Sequence, residues 1–128
     1  MDAYLLDTNI LIDAINARRG KKEALLRLLL AGKRLCCSTV TVLEIFAGLR
    51  PEEEGVADLV LSQLELIDVS REIATLAGKT KYAFARKGVT LSVPDAMIAA
   101  TAMTHTMVLF TDNRRDFPMP ELVFHEEA

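Results

Sequence analysis

Short apolar runs alternate along this chain with longer segments in which apolar residues recur at helical spacing, and this alternation decides the class of fold. The first run covers residues 3–6 and ends at Asp7. A short apolar run bounded by a polar turn is typical of a buried strand, and apolar residues three and four positions apart are typical of a helix. Strands that alternate with helices predict an α/β layered fold with a mostly parallel central sheet.

The alternation extends over the whole chain. Strands are predicted over residues 3–6, 34–37, 66–69, 107–110 and 122–124. Helices are predicted over residues 9–17, 21–31, 41–49, 52–63, 70–88 and 92–103. No repeat, linker or change in composition interrupts this order, so we expect one domain over residues 1–128.

Composition and charge exclude several classes of protein. Hydrophobic residues make up 51% of the 128 residues and the formal charge is −3. These values argue against a disordered chain and against a simple polycation that holds nucleic acid by bulk charge. The opening residues lack the basic segment of a secretory signal, and no apolar stretch reaches the roughly 18 residues of a membrane span. We therefore expect a soluble cytoplasmic protein without a membrane partner.

The two cysteines, Cys36 and Cys37, are adjacent in the chain. Neighbouring side chains on a strand point to opposite faces of the sheet, so this pair is not expected to form a disulfide. We expect two reduced thiols, one of them buried.

Four acidic residues lie where a solvated surface charge is not expected: Asp7, Glu44, Asp95 and Asp112. Each lies at the carboxyl end of a predicted strand or in the first turn of a predicted helix, among apolar residues. Parallel α/β sheets bind their ligands at this edge. We therefore expect the four carboxylates to converge through the tertiary fold.

Converging carboxylates repel one another and raise one another's pKa unless a cation compensates them. Mg²⁺ prefers oxygen ligands and usually takes one or two protein carboxylates together with water and substrate phosphates. A bound Mg²⁺ or Mn²⁺ lowers the pKa of its water and offsets charge on the phosphorane. The four acids therefore predict metal-assisted hydrolysis of phosphodiester bonds.

Helix capping is the alternative explanation for each acid. Thr41 with Glu44, and Ser92 with Asp95, have the spacing of a capping box, in which the acid accepts a backbone N–H. The other two acids fit an N-cap or an Asx turn. For a single acid capping is the more common role, whereas four acids at one edge favour a catalytic site.

Four segments resemble PIN-domain ribonucleases, in the order expected for that family: DTNILID (7–13), TVLEIFAGL (41–49), PDAMIAATA (94–102) and LFTDNRRDF (109–117). Together they span nearly the whole chain, whose compact length is similar to that of VapC-type toxins of bacterial and archaeal toxin–antitoxin pairs. The resemblance implies a three-layer α/β/α sandwich with a short, mostly parallel central sheet. It also implies dependence on Mg²⁺ or Mn²⁺ and endonucleolytic cleavage of RNA, whether tRNA, rRNA or mRNA.

Carried over to this sequence, the resemblance implies an acidic quartet around the metal, formed by Asp7, Glu44, Asp95 and Asp112. Asp7 and Asp95 are the expected metal ligands, direct or through water. Glu44 and Asp112 are expected to complete the shell, directly or through water, or to orient the attacking water. Supporting polar residues are expected beside them at Thr8, Asn9, Asn113 and Asp116.

Other charged residues near the acids have more than one interpretation. Asp116 either reaches the same cleft or pairs with Arg114 or Arg115, and the ion pair is the favoured interpretation. The two arginines are themselves expected to bind a substrate phosphate. Asp13 has a counterpart in the family, yet its helical position predicts a solvated side chain. His125 is expected to be exposed near the C-terminus.

The apolar faces predicted for residues 9–17, 21–31 and 52–63 are large for so small a domain. Most of that surface is expected in the core, and any exposed remainder would form a groove for a partner segment or a dimer interface. The resemblance implies both partners. One is a second copy in a homodimer, and the other is a cognate antitoxin whose C-terminal tail fills the groove and blocks the acidic pocket.

Two other functions remain open at this point. A non-catalytic interaction module on the same scaffold would fold and bind partners without acting on nucleic acid. An aspartate-based phosphatase would require a nucleophilic carboxylate with a second acid two positions later, where this chain has Asn9 after Asp7. That difference makes the phosphatase the weaker alternative.

Overall fold

The computed structural model describes residues 2–126, which contain one five-stranded sheet covered by helices on both faces. The strands are β1 (Ala3–Leu6), β2 (Arg34–Ser38), β3 (Glu65–Ile67), β4 (Val108–Phe110) and β5 (Val123–Phe124). Every pairing is parallel, and the strand order is β3-β2-β1-β4-β5. The predicted parallel α/β architecture is confirmed.

The helices of the described residues are α1 (Thr8–Ile15), α2 (Lys21–Leu30), α3 (Thr39–Gly48), α4 (Glu54–Leu61), α5 (Arg71–Ala85) and α6 (Val93–His105). The largest difference from the sequence prediction precedes α4, where Pro51–Glu53 forms a separate 3₁₀ turn. The Glu53 carboxylate accepts the Arg50 N–H at 3.0 Å, so the chain closes a tight turn before the helix begins. No helix within residues 2–126 is both long and apolar enough to cross a membrane.

Alternate side chains of the central strands supply two separate apolar cores. Leu5 and Cys36 pack with α5 and α6 on one face, whereas Leu6 and Cys37 pack with α1, α2 and α4 on the other. This arrangement follows from the two-residue period of a strand, and it makes the molecule a three-layer α/β/α sandwich. Both thiols are free and buried, and burial raises the pKa of Cys37 to about 12.

The strand order reverses between β1 and β4. From β1 the chain builds the sheet toward β3, and the later strands β4 and β5 extend it in the opposite direction. At such a reversal the connections diverge and leave a crevice at the carboxyl ends of the two central strands. Asp7 directly follows β1, and its N–H donates to the Phe110 carbonyl of β4 at 2.9 Å. The first predicted site residue therefore lies at this crevice.

Candidate active site

Asp7 connects β1 to α1 and is held by hydrogen bonds from two elements. It caps α1, and its Oδ1 accepts the Thr8 N–H at 2.8 Å. Its Oδ2 accepts the hydroxyl of Thr111, directly after β4, also at 2.8 Å. The residue is only 5% exposed. Both carboxylate oxygens therefore have a fixed direction, and each retains lone-pair capacity for a further ligand.

The pKa of Asp7 shows which other acids are close to it. Burial raises this pKa above its ordinary value, and the negative charges of Asp95 and Glu44 raise it further. The hydrogen bonds from Thr111 and Thr8 oppose the rise, because they stabilise the ionised carboxylate. The interaction between two charges weakens with distance, so an acid that raises the pKa of Asp7 lies near it. Three of the four predicted acids therefore occupy one region, which we call the acidic cluster: Asp7, Glu44 and Asp95.

Glu44 reaches the acidic cluster from α3. Its Oε1 accepts the Thr8 hydroxyl at 2.6 Å, and the hydroxyl oxygens of Thr8 and Thr41 lie 3.0 Å apart. Because Thr8 has a single hydroxyl proton, it donates to Glu44 and accepts from Thr41. The capping box considered as the alternative for Thr41 and Glu44 does not form, since the helix begins earlier and Ser38 caps it.

Asp95 lies in the first turn of α6. Ser92 caps this helix, and its hydroxyl accepts the Asp95 N–H at 3.1 Å, which is the serine half of the capping box considered from the sequence. Burial raises the pKa of Asp95, and a side-chain hydrogen bond with Ser92 lowers it. The charges of Asp116 and Glu44 raise it further. Asp95 therefore contacts the residue that caps α6 and belongs to the acidic cluster at the same time.

The two acids that follow β4 have different surroundings. Asp112 is exposed, and its Oδ2 lies 3.3 Å from Nζ of Lys21, the buried first residue of α2. Asp116 ends the short 3₁₀ turn that comes next, and its charge raises the pKa of Asp95. The acid that acts on the cluster from this loop is therefore Asp116, whereas the charge of Asp112 is compensated by a lysine.

The arginines beside these acids are directed toward the C-terminal segment. Arg114 donates to the carbonyl of His125 at 2.8 Å and forms an ion pair with Glu126. Arg115 is exposed. Across residues 2–126 no ion pair joins Asp116 to either arginine, so the pairing favoured from the sequence is not found, because Arg114 has partners farther along the chain.

Two side chains that were expected in solvent are covered. Asp13 is 5% exposed, and Arg19 donates to both of its carboxylate oxygens, at 2.9 and 3.0 Å. The expectation of a solvated Asp13 is wrong because the loop after α1 folds back over it. His125 is half-buried, with its ring centroid 4.3 Å from that of Phe110. His125 directly follows β5, which pairs with β4, and its ring therefore packs against that of Phe110.

The remaining supporting residues lie in the first turn of α1 and in the loop after β4. Asn9 is exposed near the start of α1, and the half-buried Asn113 donates its N–H to the Thr111 hydroxyl at 2.9 Å. Sequence reasoning missed the roles of Thr111 and Lys21. A hydroxyl directly after a buried strand is a weak signal, because threonine is common in turns. A lysine at the start of a charged helix gives no signal of burial.

Every atom of the acidic cluster that could coordinate a metal is a carboxylate oxygen, and the Thr8 hydroxyl lies beside them. Within residues 2–126 no three His, Cys, Asp or Glu side chains form a set that would hold a metal ion by themselves. Mg²⁺ usually takes one or two protein carboxylates and keeps several waters, so it does not require such a set. Asp7 is buried and Glu44 and Asp95 are half-buried, and the negative charges of Glu44 and Asp95 raise the pKa of Asp7. Partly buried carboxylates in mutual repulsion fit a hard divalent cation.

The chain is similar in sequence and in fold to known proteins. The chain matches the family model of the PIN domain over residues 4–119. It is 33% identical over 120 residues to the tRNA(fMet)-specific endonuclease VapC of Salmonella typhimurium, with 89% of each chain covered. The matched range includes all four acids predicted from the sequence, as well as Asp13 and Asp116.

Solved structures agree with the match. The crystal structure of VapBC2 from Rickettsia felis, bound to a promoter DNA fragment, superposes with a TM-score of 0.85 at 26% identity, over 96% of this chain and 97% of that one. A toxin–antitoxin complex from Klebsiella pneumoniae gives 0.76 at 32% identity, over 98% and 99%. The chain therefore belongs to the PIN-domain family, in its VapC group.

Proposed function

We propose that this chain is a metal-dependent endoribonuclease that hydrolyses RNA phosphodiester bonds and is the toxin of a toxin–antitoxin pair. The observation that carries the proposal is the acidic cluster at the strand-order reversal, where burial and neighbouring charges raise the pKa of both Asp7 and Asp95. A site of this kind, in a chain 33% identical to a tRNA endonuclease, is expected to act on RNA.

Asp7 and Asp95 would hold Mg²⁺ or Mn²⁺, directly or through water. The bound cation supplies a water of lowered pKa and offsets the charge that develops on the phosphorane. The hydrogen bonds from Thr8 and Thr111 orient both oxygens of Asp7 before any ligand arrives. Asp95 lies in the first turn of α6, near the positive end of that helix, which favours its ionised form.

Glu44 and Asp116 would complete the acidic surroundings. Oε1 of Glu44 accepts the Thr8 hydroxyl, which fixes the side chain, and its second oxygen can accept a proton from the attacking water. Asp116 is included because its charge acts on Asp95. We assign Asp112 to the outer part of the site, since Lys21 compensates its charge.

Arg114 and Arg115 are proposed to contact phosphates of the RNA. Phosphate contacts of this kind position a nucleic acid without reading its sequence. Arg115 is exposed, and Arg114 forms a surface ion pair with Glu126. A surface ion pair contributes about 0–1 kcal/mol, so Arg114 can exchange this contact for a phosphate at little cost.

Exposed apolar surface supports the proposal of two protein partners. A groove of about 260 Å³ lies between α1, α2 and α4, and its lining residues include Leu25, Leu26, Val56 and Val60. Leu26 is 54% exposed and Val56 49% exposed, which fits an apolar segment of a partner. We propose that a cognate antitoxin docks here, as in a toxin–antitoxin pair. A homodimer would cover apolar side chains outside the groove, such as Leu43, which is 67% exposed.

Incubation of the purified protein with total tRNA and ribosomal RNA, in Mn²⁺ or in EDTA, tests the proposed activity. Cleavage is expected in Mn²⁺ and not in EDTA. Asp7→Asn or Asp95→Asn is expected to reduce cleavage by about a hundredfold or more, with an unchanged circular dichroism spectrum. Asp68→Asn is the matched control, because Asp68 also follows a strand but is exposed.

Undiminished metal-dependent cleavage in both Asp7→Asn and Asp95→Asn would contradict the proposal. A folded wild-type protein that binds partners but changes no RNA under either condition would favour the non-catalytic interaction module instead.

A further inference from the structure

Lys21 is a buried lysine that the proposed reaction does not use. Its side chain is only 6% exposed, although lysine is rarely buried unless it is paired. Its Nζ lies 3.3 Å from Oδ2 of Asp112 and 5.9 Å from the centre of the Phe110 ring. Phe110 ends β4 and Asp112 lies in the turn that follows. Lys21 therefore connects the start of α2 to that turn.

The loop before Lys21 has an uncommon backbone conformation. Ala17 and Arg19 have φ angles of +53° and +54°, a region that residues with a Cβ rarely adopt. Arg19 is held there by its contacts with the buried carboxylate of Asp13. Such conformations persist where surrounding contacts require them, and they are concentrated at functional sites. Here the loop places the first residue of α2 against the end of β4.

The turn that Lys21 contacts also orients Asp7. The Thr111 hydroxyl donates to Oδ2 of Asp7 at 2.8 Å and accepts the N–H of Asn113 at 2.9 Å. Asp112 lies between these two residues, so a contact that holds Asp112 also limits movement of the Thr111 hydroxyl. Lys21 is thus linked to the acidic cluster in three steps: the ion pair with Asp112, the turn after β4, and the hydrogen bond from Thr111 to Asp7.

We propose that Lys21 is a positioning residue: by holding Asp112 it keeps the turn after β4 in place, so that the Thr111 hydroxyl stays on Asp7 and the acidic cluster keeps its affinity for a divalent cation. This inference rests on the proposed function of that cluster. In this assignment Asp112 is the anchor of Lys21 and not a ligand of the cation.

Lys21→Met tests the inference, because it retains an unbranched apolar side chain and removes the charge. The affinity of the full chain for Mn²⁺, measured by titration calorimetry below the melting temperature, is expected to fall about tenfold, since groups that support metal ligands typically contribute 10–100-fold. The kcat for RNA is expected to fall with it while KM stays unchanged. Lys22→Met, at the next and exposed position of α2, is the matched control and is expected to stay within about twofold of wild type.

A double-mutant cycle with Asp112→Asn separates the proposed role from direct ligation. If Lys21 acts through Asp112, the double variant loses no more Mn²⁺ affinity than the more affected single variant. Additive losses, with the larger one in Asp112→Asn, would overturn the inference. Wild-type Mn²⁺ affinity in Lys21→Met would overturn it too, even with a lowered melting temperature, because the lysine would then only stabilise the fold.

The Mn²⁺ titration needs no RNA, so failures of the two proposals are distinguishable. A wild-type protein that binds Mn²⁺ but cleaves no RNA contradicts the proposed function, and the titration of Lys21→Met still decides the inference. A wild-type protein that cleaves RNA, beside a Lys21→Met variant with unchanged Mn²⁺ affinity, contradicts the inference alone. A wild-type protein that binds no Mn²⁺ contradicts both.

Discussion

The Asp7 carboxylate caps α1 and belongs to the acidic cluster at the same time. Its Oδ1 accepts the first N–H of the helix, and its Oδ2 accepts the Thr111 hydroxyl. The two roles are compatible because a carboxylate offers about four lone-pair sites, of which these bonds use two. Each accepted hydrogen bond also favours the ionised form. The contacts that start the helix therefore also orient both oxygens of the proposed metal ligand.

Thr111→Val removes one of these hydrogen bonds and keeps the branched shape of the side chain. Because the bond favours ionised Asp7, its loss is expected to raise the pKa of Asp7 further and to lower both Mn²⁺ affinity and RNA cleavage by about tenfold. Calorimetry and cleavage rates measure the two effects. Thr101→Val is the control, since it removes another buried hydroxyl, one bonded to the Met97 carbonyl within α6. Equal losses in the two variants would refute a specific role for Thr111.

Helix starts bring the acidic cluster together. Asp7 caps α1, and Asp95 lies in the first turn of α6, where Ser92 is the cap. Glu44 comes from the second turn of α3, which begins directly after β2. The helices α1 and α3 directly follow two parallel strands, so both begin at the same edge of the sheet. The charge of Asp95 acts on Asp7, so the start of α6 lies near that edge as well. Rigid caps keep the first turns from fraying.

The connection between α1 and α2 depends on the Arg19–Asp13 ion pair. Arg19→Ala would leave the carboxylate of Asp13 buried without its guanidinium, and a buried polar group that loses its partner costs roughly 1–3 kcal/mol. The free energy of unfolding in urea is expected to fall by an amount in this range. Arg27→Ala, at an exposed position of α2, is the control and is expected to change it by less than about 0.5 kcal/mol. An unchanged urea midpoint in Arg19→Ala would show that the pair does not hold the loop.

At the scale of the whole molecule, folding gathers negative charge at one edge of the sheet. The two apolar cores lie on opposite faces of the sheet. At the edge where the strands end, the reversal of strand order leaves a crevice between β1 and β4. Asp7 and Asp95 both have raised pKa values there, so their ionised forms are less favourable in the folded protein than in the unfolded chain. These two groups therefore make the stability of the fold depend on pH.

Mn²⁺ is expected to raise the melting temperature at neutral pH, and the gain is expected to shrink as the pH falls. The pKa values of both aspartates are raised from 3.8, so between 3.8 and the raised values the folded state binds more protons than the unfolded chain. Without metal, these groups therefore lower stability as the pH rises through that window. Above that pH window both aspartates are ionised and their full destabilising effect is present. A cation at 100 times its Kd then stabilises the folded state by about 2.7 kcal/mol.

Thermal melts at neutral and acidic pH, with and without Mn²⁺, measure this dependence. Asp7→Asn is expected to gain no stability from the cation, since it removes a proposed ligand. A gain of the same size in Asp7→Asn, or a gain in the wild type that grows toward acidic pH, would contradict the expectation.

The sequence by itself determined the layers and which edge of the sheet carries three of the four predicted acids. A spacing of two between apolar residues predicts a strand, and a spacing of three to four predicts a helix. Tertiary contacts do not change these periods, because they are properties of the backbone. Parallel strands then carry the residues that follow them to one edge. The positions of Asp7, Glu44 and Asp95 at predicted strand ends and helix starts are therefore enough to predict that they meet, and the two-residue period of a strand places the two cysteines on opposite faces.

Only the tertiary structure decided which charged groups are buried and with what partner. Asp112 and Asp116 lie in one short loop without periodicity, and the direction of each side chain depends on which helix packs beside it. Lys21 meets Asp112 across 91 positions of the chain, and Thr111 meets Asp7 across 104. Local spacing carries no information on such pairs, because a buried charge is stabilised by a partner that only the folded chain brings within reach.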